Sequence, residues 1–216
     1  MKVTKFGGSS LADAFQIKKV CDIVNSDPER RIVVVSAPGK RNKDDIKVTD
    51  LLIAVAKARL AGKPYEEEVS KVIARFKSIA EDLNIIDIMP DVENAIRSTA
   101  DRAYTDDIKY LDSVKAMGED CSARVVARYL NSIGKKAIYC NPQEKGLFLK
   151  HNEAGKAVIL GETYDNLACL KNEKALCIFP GFYGYSKEGE IITFSRGGSD
   201  ITGSILAAAV EASVYE

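Results

Sequence analysis

Two short runs near opposite ends of the chain carry residues suited to holding an anion. The first is Lys5-Phe6-Gly7-Gly8-Ser9-Ser10, which leaves a strand-like run and enters a helical one. Two glycines let backbone N–H groups approach a phosphate closely, and a following helix N-terminus adds unpaired donors and its dipole. Lys5 supplies a point charge. The second run is Phe194-Ser195-Arg196-Gly197-Gly198-Ser199-Asp200, again between a strand and a helix. The planar guanidinium of Arg196 suits a carboxylate or a phosphate, and Asp200 can orient a lysine or meet a magnesium ion. Each run also has a plain structural use. A tight strand-to-helix turn needs glycine for geometry alone, and Ser199 or Asp200 is a natural helix cap, as Ser10 is in the first run. Neither GxGxxG nor GxxxxGK[ST] is present.

These turns need a scaffold, and the alternation along the chain predicts an α/β fold with a mostly parallel sheet sandwiched by helices. Residues 3–6 read as the first strand, and Ala14, Ile17, Val20, Cys21 and Val24 recur at helical spacing after it. Ile32-Val33-Val34-Val35 is a continuous apolar run of the kind buried on both faces, ending at Ser36-Ala37-Pro38-Gly39. A charged, mobile-looking loop, 40–47, leads to a helix start at Thr49-Asp50. From about 65 to about 130 the pattern is helical throughout, with Val69, Val72, Phe76, Ile79 and Leu83 forming one stripe. More helices lie here than one crossover needs, so about 62–110 is expected to be an excursion from the sheet. Strand-like runs resume at 137–140, 157–160, 175–179 and 191–194.

Composition restricts the function classes. With 216 residues, 46% of them hydrophobic, the chain can bury a real core. Its 31 basic and 31 acidic side chains cancel, so it lacks the basic excess of a nucleic-acid-binding domain. No apolar stretch is long enough to span a bilayer and no signal peptide is evident, which predicts a cytoplasmic protein without membrane partners. The five cysteines have no CxxC spacing and are expected to be reduced core residues. His151, the single histidine, lies in a polar stretch with no second histidine to share a metal, and reads as a surface residue.

Taken together, KFGGSS near the start, Val34-Val35-Ser36-Ala37 closing the next strand, and RGGSD before a helix resemble the aspartokinase branch of the amino-acid kinase superfamily, in that order and over the whole 216 residues. The resemblance implies ATP-dependent phosphorylation of the side-chain carboxylate of L-aspartate to 4-phospho-L-aspartate, the first step toward lysine, threonine and methionine. ATP with Mg2+ is implied as cosubstrate. Lys5 and Asp200 would be the catalytic pair. Gly7, Gly8 and Ser9, with Lys5, would line the phosphates. Ser36, Thr49, Glu119, Phe182, Arg196 and Ser199 would hold the amino acid, with Arg196 on the α-carboxylate and Glu119 facing the α-ammonium. No dedicated protein metal-ligand set is implied.

The residues alone leave blander readings open. Ser36 and Thr49 can satisfy backbone groups, Glu119 can be a first-turn acid, and Phe182 can pack a glycine-rich turn. The chain ends at Glu216, where the family continues into the segment that holds the base and ribose and then into ACT regulatory domains that build a homo-oligomer. A fragment of a longer protein is therefore expected. The alternatives are a related kinase with a different acceptor and a non-catalytic amino-acid-binding fragment. Glu119 and Arg196 together favour an α-amino acid acceptor.

Overall fold

The computed structural model describes residues 1–195 and 197–216. Strand β1 (Lys2–Phe6) runs through a 3-10 turn at Gly8–Leu11 into helix α1 (Ala14–Asn25) and strand β2 (Arg30–Val35). Four helices follow: α2 (Val48–Leu60), α3 (Glu66–Asp82), α4 (Met89–Ala100) and the long α5 (Asp107–Ser132). Next come β3 (Ala137–Tyr139), β4 (Leu149–His151), β5 (Ala157–Ile159), helix α6 (Glu162–Leu167) and β6 (Leu176–Pro180). The chain closes with β7 (Tyr183–Tyr185), β8 (Ile191–Thr193), helix α7 (Gly198–Ala209) and β9 (Val214–Tyr215).

The central sheet has the order β3-β6-β2-β1-β9, and every pairing in it is parallel. Parallel strands joined by helices are covered on both faces, which is why β2 reads as an unbroken β-branched run: Ile32, Val33, Val34 and Val35 are all fully buried. Because side chains alternate along a strand, each face collects its own core. Phe6, Val33, Val35 and Ile178 pack beneath α1, α2 and α5. Val3, Ile32, Val34, Cys177 and Phe179 pack with Ile205, Leu206 and Ala209 of α7 and with the small hairpins. Helices α3 and α4, inside the 62–110 stretch, pack on α2, α5 and each other rather than chiefly on strands.

Several local expectations are corrected. Asp13, not Ser10, caps α1, its Oδ1 accepting from the Gln16 amide at 2.9 Å. Ser10 sits inside the intervening 3-10 turn. Gly197 occupies the N-cap of α7, so neither Ser199 nor Asp200 caps it. The runs at 157–160 and 191–194 form strands outside the parallel sheet, in antiparallel hairpins β4–β5 and β7–β8. Their partners β4 and β7 read Leu149-Lys150-His151 and Tyr183-Gly184-Tyr185, with no apolar run to mark a strand. Cys169 is exposed, whereas the other four cysteines are buried. The 40–47 loop is pinned: buried Arg75 reaches Asp45 Oδ2 at 2.6 Å and the carbonyls of Gly39 and Ala12 at 2.6 and 3.0 Å. His151 is exposed on β4, its Nδ1 lying 3.0 Å from the Gly155 carbonyl. Among the described residues, no helix is long and apolar enough to cross a membrane.

Candidate active site

Strands β1, β2 and β6 end on the same edge of the sheet, and ligand crevices of open α/β sheets form at the carboxyl ends of such strands. Backbone hydrogen bonds continue the pairing past the strand ends. The Ser36 amide donates to the Phe6 carbonyl at 3.2 Å, and the Gly181 amide to the Val35 carbonyl at 2.9 Å. The three exits are therefore held together. Where the first two meet, Gly39 lies on Gly8, its amide donating to the Gly8 carbonyl at 2.8 Å. A Cβ on Gly39 would fall 2.6 Å from the Gly8 carbonyl carbon, so the contact admits no side chain there.

Lys5, near the end of β1, faces α7 because it shares the strand parity of Val3. Its ammonium meets Asp200 Oδ1 at 2.8 Å, in the first turn of α7. The pair unites the two glycine turns from opposite ends of the sequence. Lys5 Nζ also lies over the Gly7 turn, 3.7 Å from where a Cβ on Gly7 would be. Ser36 Oγ donates to Ser199 Oγ at 3.0 Å, tying the end of β2 to the same helix N-terminus.

The opposite wall is α5, and Gly118 lets it come close. A Cβ there would lie 2.7 Å from Ala37 Cβ, so only a glycine lets the helix pack on the exit from β2. This approach carries Glu119 into the cleft at mid-helix, far from the first turn, which overturns the reading of Glu119 as a dipole-favoured terminal acid. Glu119 is 6% exposed, and its Oε2 has no hydrogen-bond partner among the described residues. Burial pushes its carboxyl up to about 8, against the opposing pull of the Ala37 backbone amide and the Lys115 ammonium. Its neighbour Asp120 points elsewhere, accepting from the Tyr139 and Tyr183 hydroxyls and from Arg124 Nε. That buried network fixes α5 against the turn that carries Phe182.

Phe182 has φ +78°, a left-handed backbone rare for an aromatic residue. Its amide donates to Thr202 Oγ1 at 3.1 Å, and its carbonyl accepts from the Phe194 amide at 2.8 Å. Strain held in this way at a cleft wall is common where a side chain must be aimed.

Two adjoining clefts result. One, of about 420 Å³, is lined by Lys5, Ser36, Thr49, Glu119, Phe182, Ser199 and Asp200, among others. The second, of about 460 Å³, has Gly8, Ser9, Gly39, Lys40 and Lys47 in its walls and shares Ser36, Thr49 and Glu119 with the first. The sequence-derived candidates thus converge, with Gly7 beneath Lys5. Arg196 lies outside the described residues. Sequence reasoning missed Lys115 in the first cleft and Gly39, Lys40 and Lys47 in the second. A signal for Lys115 existed: it is one helical turn before Glu119.

The sequence profile of the Amino acid kinase family matches residues 1–216. The chain is 49% identical over 217 residues to Aspartokinase 3 of Bacillus subtilis (strain 168), covering all of this chain and 48% of that protein. It is 30% identical over 223 residues to the chloroplastic Aspartokinase 1 of Arabidopsis thaliana, covering 96% of this chain and 38% of that one. Among solved structures, the Clostridium acetobutylicum aspartate kinase superposes with a TM-score of 0.78 at 33% identity, over all of this chain and 46% of that one. E. coli aspartokinase III in complex with aspartate and ADP gives 0.76 at 26% identity, over all of this chain and 48% of that one. The chain spans less than half the length of each of these relatives.

Proposed function

The chain belongs to the amino acid kinase family, and from that premise we propose that it is the acceptor-binding and phosphoryl-transferring portion of an aspartokinase. It would move the γ-phosphoryl group of ATP onto the side-chain carboxylate of L-aspartate, giving 4-phospho-L-aspartate and ADP. The observation that carries this reading is Glu119: a buried carboxylate with an unpartnered oxygen, in the same cleft as the Lys5–Asp200 pair. A carboxyl buried this way ionises only with a cation to match it, and the α-ammonium of an amino acid is one. The names of the relatives, and the aspartate and ADP bound in the E. coli structure, support aspartate and ATP as the substrates.

In the proposed reaction a side-chain carboxylate oxygen attacks the γ-phosphorus, and the bond from that phosphorus to the β,γ-bridging oxygen breaks. A carboxylate is already ionised at neutral pH, so no general base is required. The task is to bring two anions together and hold them in line. Lys5 would neutralise charge on the transferring group, and Asp200 would hold that ammonium over the Gly7 turn. The backbone of Gly7, Gly8 and Ser9 would cradle the phosphates. Ser36, Thr49 and Ser199 would orient the acceptor, and Phe182 would close one side of it. Arg196 is assigned the α-carboxylate.

Among the described residues, no group of three or more His, Cys, Asp or Glu side chains could hold a metal by itself. That fits Mg2+, which typically takes one or two protein carboxylates and completes its shell with phosphate oxygens and water. Asp200, largely solvent-exposed in the first cleft, would be the carboxylate that holds it, and the ion would supply positive charge to offset that of the phosphates. On this reading the base- and ribose-binding segment and the ACT domains lie outside the 216 residues, and the whole protein is a cytoplasmic homo-oligomer.

The test is calorimetric titration with L-aspartate and with succinate, which keeps both carboxylates and lacks the ammonium. Aspartate is expected to bind at least tenfold more tightly, and equal affinities would remove Glu119 from the acceptor site. In the whole protein, Lys5→Ala and Asp200→Ala are each expected to abolish phosphoryl transfer with the fold intact. Unchanged turnover would dismiss that pair.

A further inference from the structure

Lys115 is the cleft residue to which the reading above gives no role. It projects from α5 one turn before Glu119, and both side chains line the same 420 Å³ cleft. Residues four apart on a helix stand roughly 5–6 Å apart at Cβ and share a face. The wall therefore offers an ammonium beside a carboxyl group that an arriving ammonium would ionise, and that pattern complements a zwitterion, whose ammonium and carboxylate are carried on one carbon.

The Lys115 ammonium is held in place. Asp112 Oδ1 accepts from it at 2.7 Å and Thr193 Oγ1 at 3.3 Å. Asp112 is itself buried and fixed by the Thr193 amide, which donates to Oδ2 at 3.2 Å. An ammonium has three donors, so two are satisfied and a third remains without a partner among the described residues. The centroid of the Phe182 ring lies 5.7 Å from Nζ, and Phe182 lines the same cleft. Thr193 and Phe194, which flank the ammonium and the cleft, lead directly into the segment that carries Arg196. Lys5 and Asp200, in the same cleft, pair with each other and are assigned above to the phosphoryl group.

We propose that Lys115 and Glu119 together read the zwitterion of the acceptor, with Lys115 donating a hydrogen bond to its α-carboxylate while Glu119 accepts from its α-ammonium. This deepens the aspartokinase reading and rests on it. Asp112 is then a positioning residue: it aims the lysine and keeps it from collapsing onto Glu119, which would fill the cleft and satisfy the orphan Oε2 from within.

The experiment compares L-aspartate with its α-amide, L-isoasparagine, which keeps the ammonium and the side-chain carboxylate but presents no α-carboxylate charge. Affinities are measured by calorimetry on the whole protein and on its Lys115→Met and Lys115→Arg forms, with thermal melting as the folding control. Losing a hydrogen bond to a charged group is expected to weaken aspartate binding roughly ten- to a hundredfold in Lys115→Met. The α-amide should change less than threefold, and Lys115→Arg should recover most of the aspartate affinity. Equal weakening of both ligands would make Lys115 a structural residue, and no weakening of aspartate would remove it from the site. Either result overturns this assignment and leaves the aspartokinase reading standing. If the wild-type protein binds neither aspartate nor any other α-amino acid, both readings fall together.

Discussion

Binding of the amino acid is expected to expel a proton from Glu119, and the size of the effect follows from where that residue sits. Its carboxyl is buried at the cleft wall, with one oxygen unpartnered among the described residues, and burial raises it to about 8 from an ordinary 4.5. At pH 7 about nine in ten of these carboxyls are then protonated in the free protein. An arriving ammonium requires the carboxylate form, so about 0.9 proton leaves per ligand bound. Ionising the group first costs about 1.4 kcal/mol at pH 7 and twice that at pH 6. Aspartate affinity should therefore rise close to tenfold between pH 6 and pH 7 and level off above pH 8. Calorimetry in buffers of different ionisation enthalpy counts the protons directly, and Glu119→Gln should abolish both the proton release and the slope. A wild-type affinity that is flat from pH 6 to pH 8, with no buffer dependence, would refute the argument. The same group sets a stability trend of defined sign. A folded-state value raised above 4.5 favours the neutral form, so its contribution is full below about pH 4.5 and is lost as pH rises through about 8. In the free protein the loss at pH 7 is on the order of 3 kcal/mol, and bound aspartate should restore most of it.

Two further substitutions probe how the site is positioned. Gly118→Ala places a methyl 2.7 Å from Ala37 Cβ and must push α5 away from the exit of β2. A loss of about 1–3 kcal/mol in denaturant unfolding is expected, with weaker aspartate binding through the displaced Glu119; unchanged affinity would mean that the close approach does not set the site. Arg75→Met removes the buried cation that holds Asp45 and the Gly39 and Ala12 carbonyls. About 3 kcal/mol of stability should disappear, and protease sensitivity should rise first within 40–47; cleavage elsewhere would argue against the pinned-loop account.

The parts of the site legible in the sequence are those carried by local chemistry. Lys5 and Asp200 each adjoin a Gly-Gly turn at a strand-to-helix junction, and the parallel sheet has only to bring two such junctions to one edge for them to meet. The unbroken β2 run likewise announces a strand covered on both faces. Glu119 is different, because its significance is burial, and burial comes from Gly118, Ala37 and the Asp120 network packing around it. A mid-helix acid carries no such mark in one sequence, and its assignment came from family resemblance. The same limit hid the strands β4 and β7, whose existence depends on partners rather than on their own pattern. Ser10 and Asp13 show the limit at its smallest scale: both are good N-caps by type, and an intervening 3-10 turn selects the second.

The site divides into a dry pole and a wet one, and the division suits the proposed chemistry. At the dry pole Glu119 is 6% exposed; at the wet pole the Asp200 side chain is 61% exposed although its carboxylate touches Lys5. Charge interactions strengthen as water is excluded, so the buried acid can discriminate strongly between a ligand that brings an ammonium and one that does not. The Lys5–Asp200 pair, in contact with solvent, contributes little to stability as an ion pair and can exchange partners at low cost when phosphate oxygens arrive. On the proposed function, selection of the acceptor would fall to a buried helix face, and handling of the phosphoryl group to a solvated pair at the sheet edge. A single fully buried site would bind both anions at the price of desolvating each, whereas this arrangement desolvates only the end of the acceptor that carries an opposite charge with it.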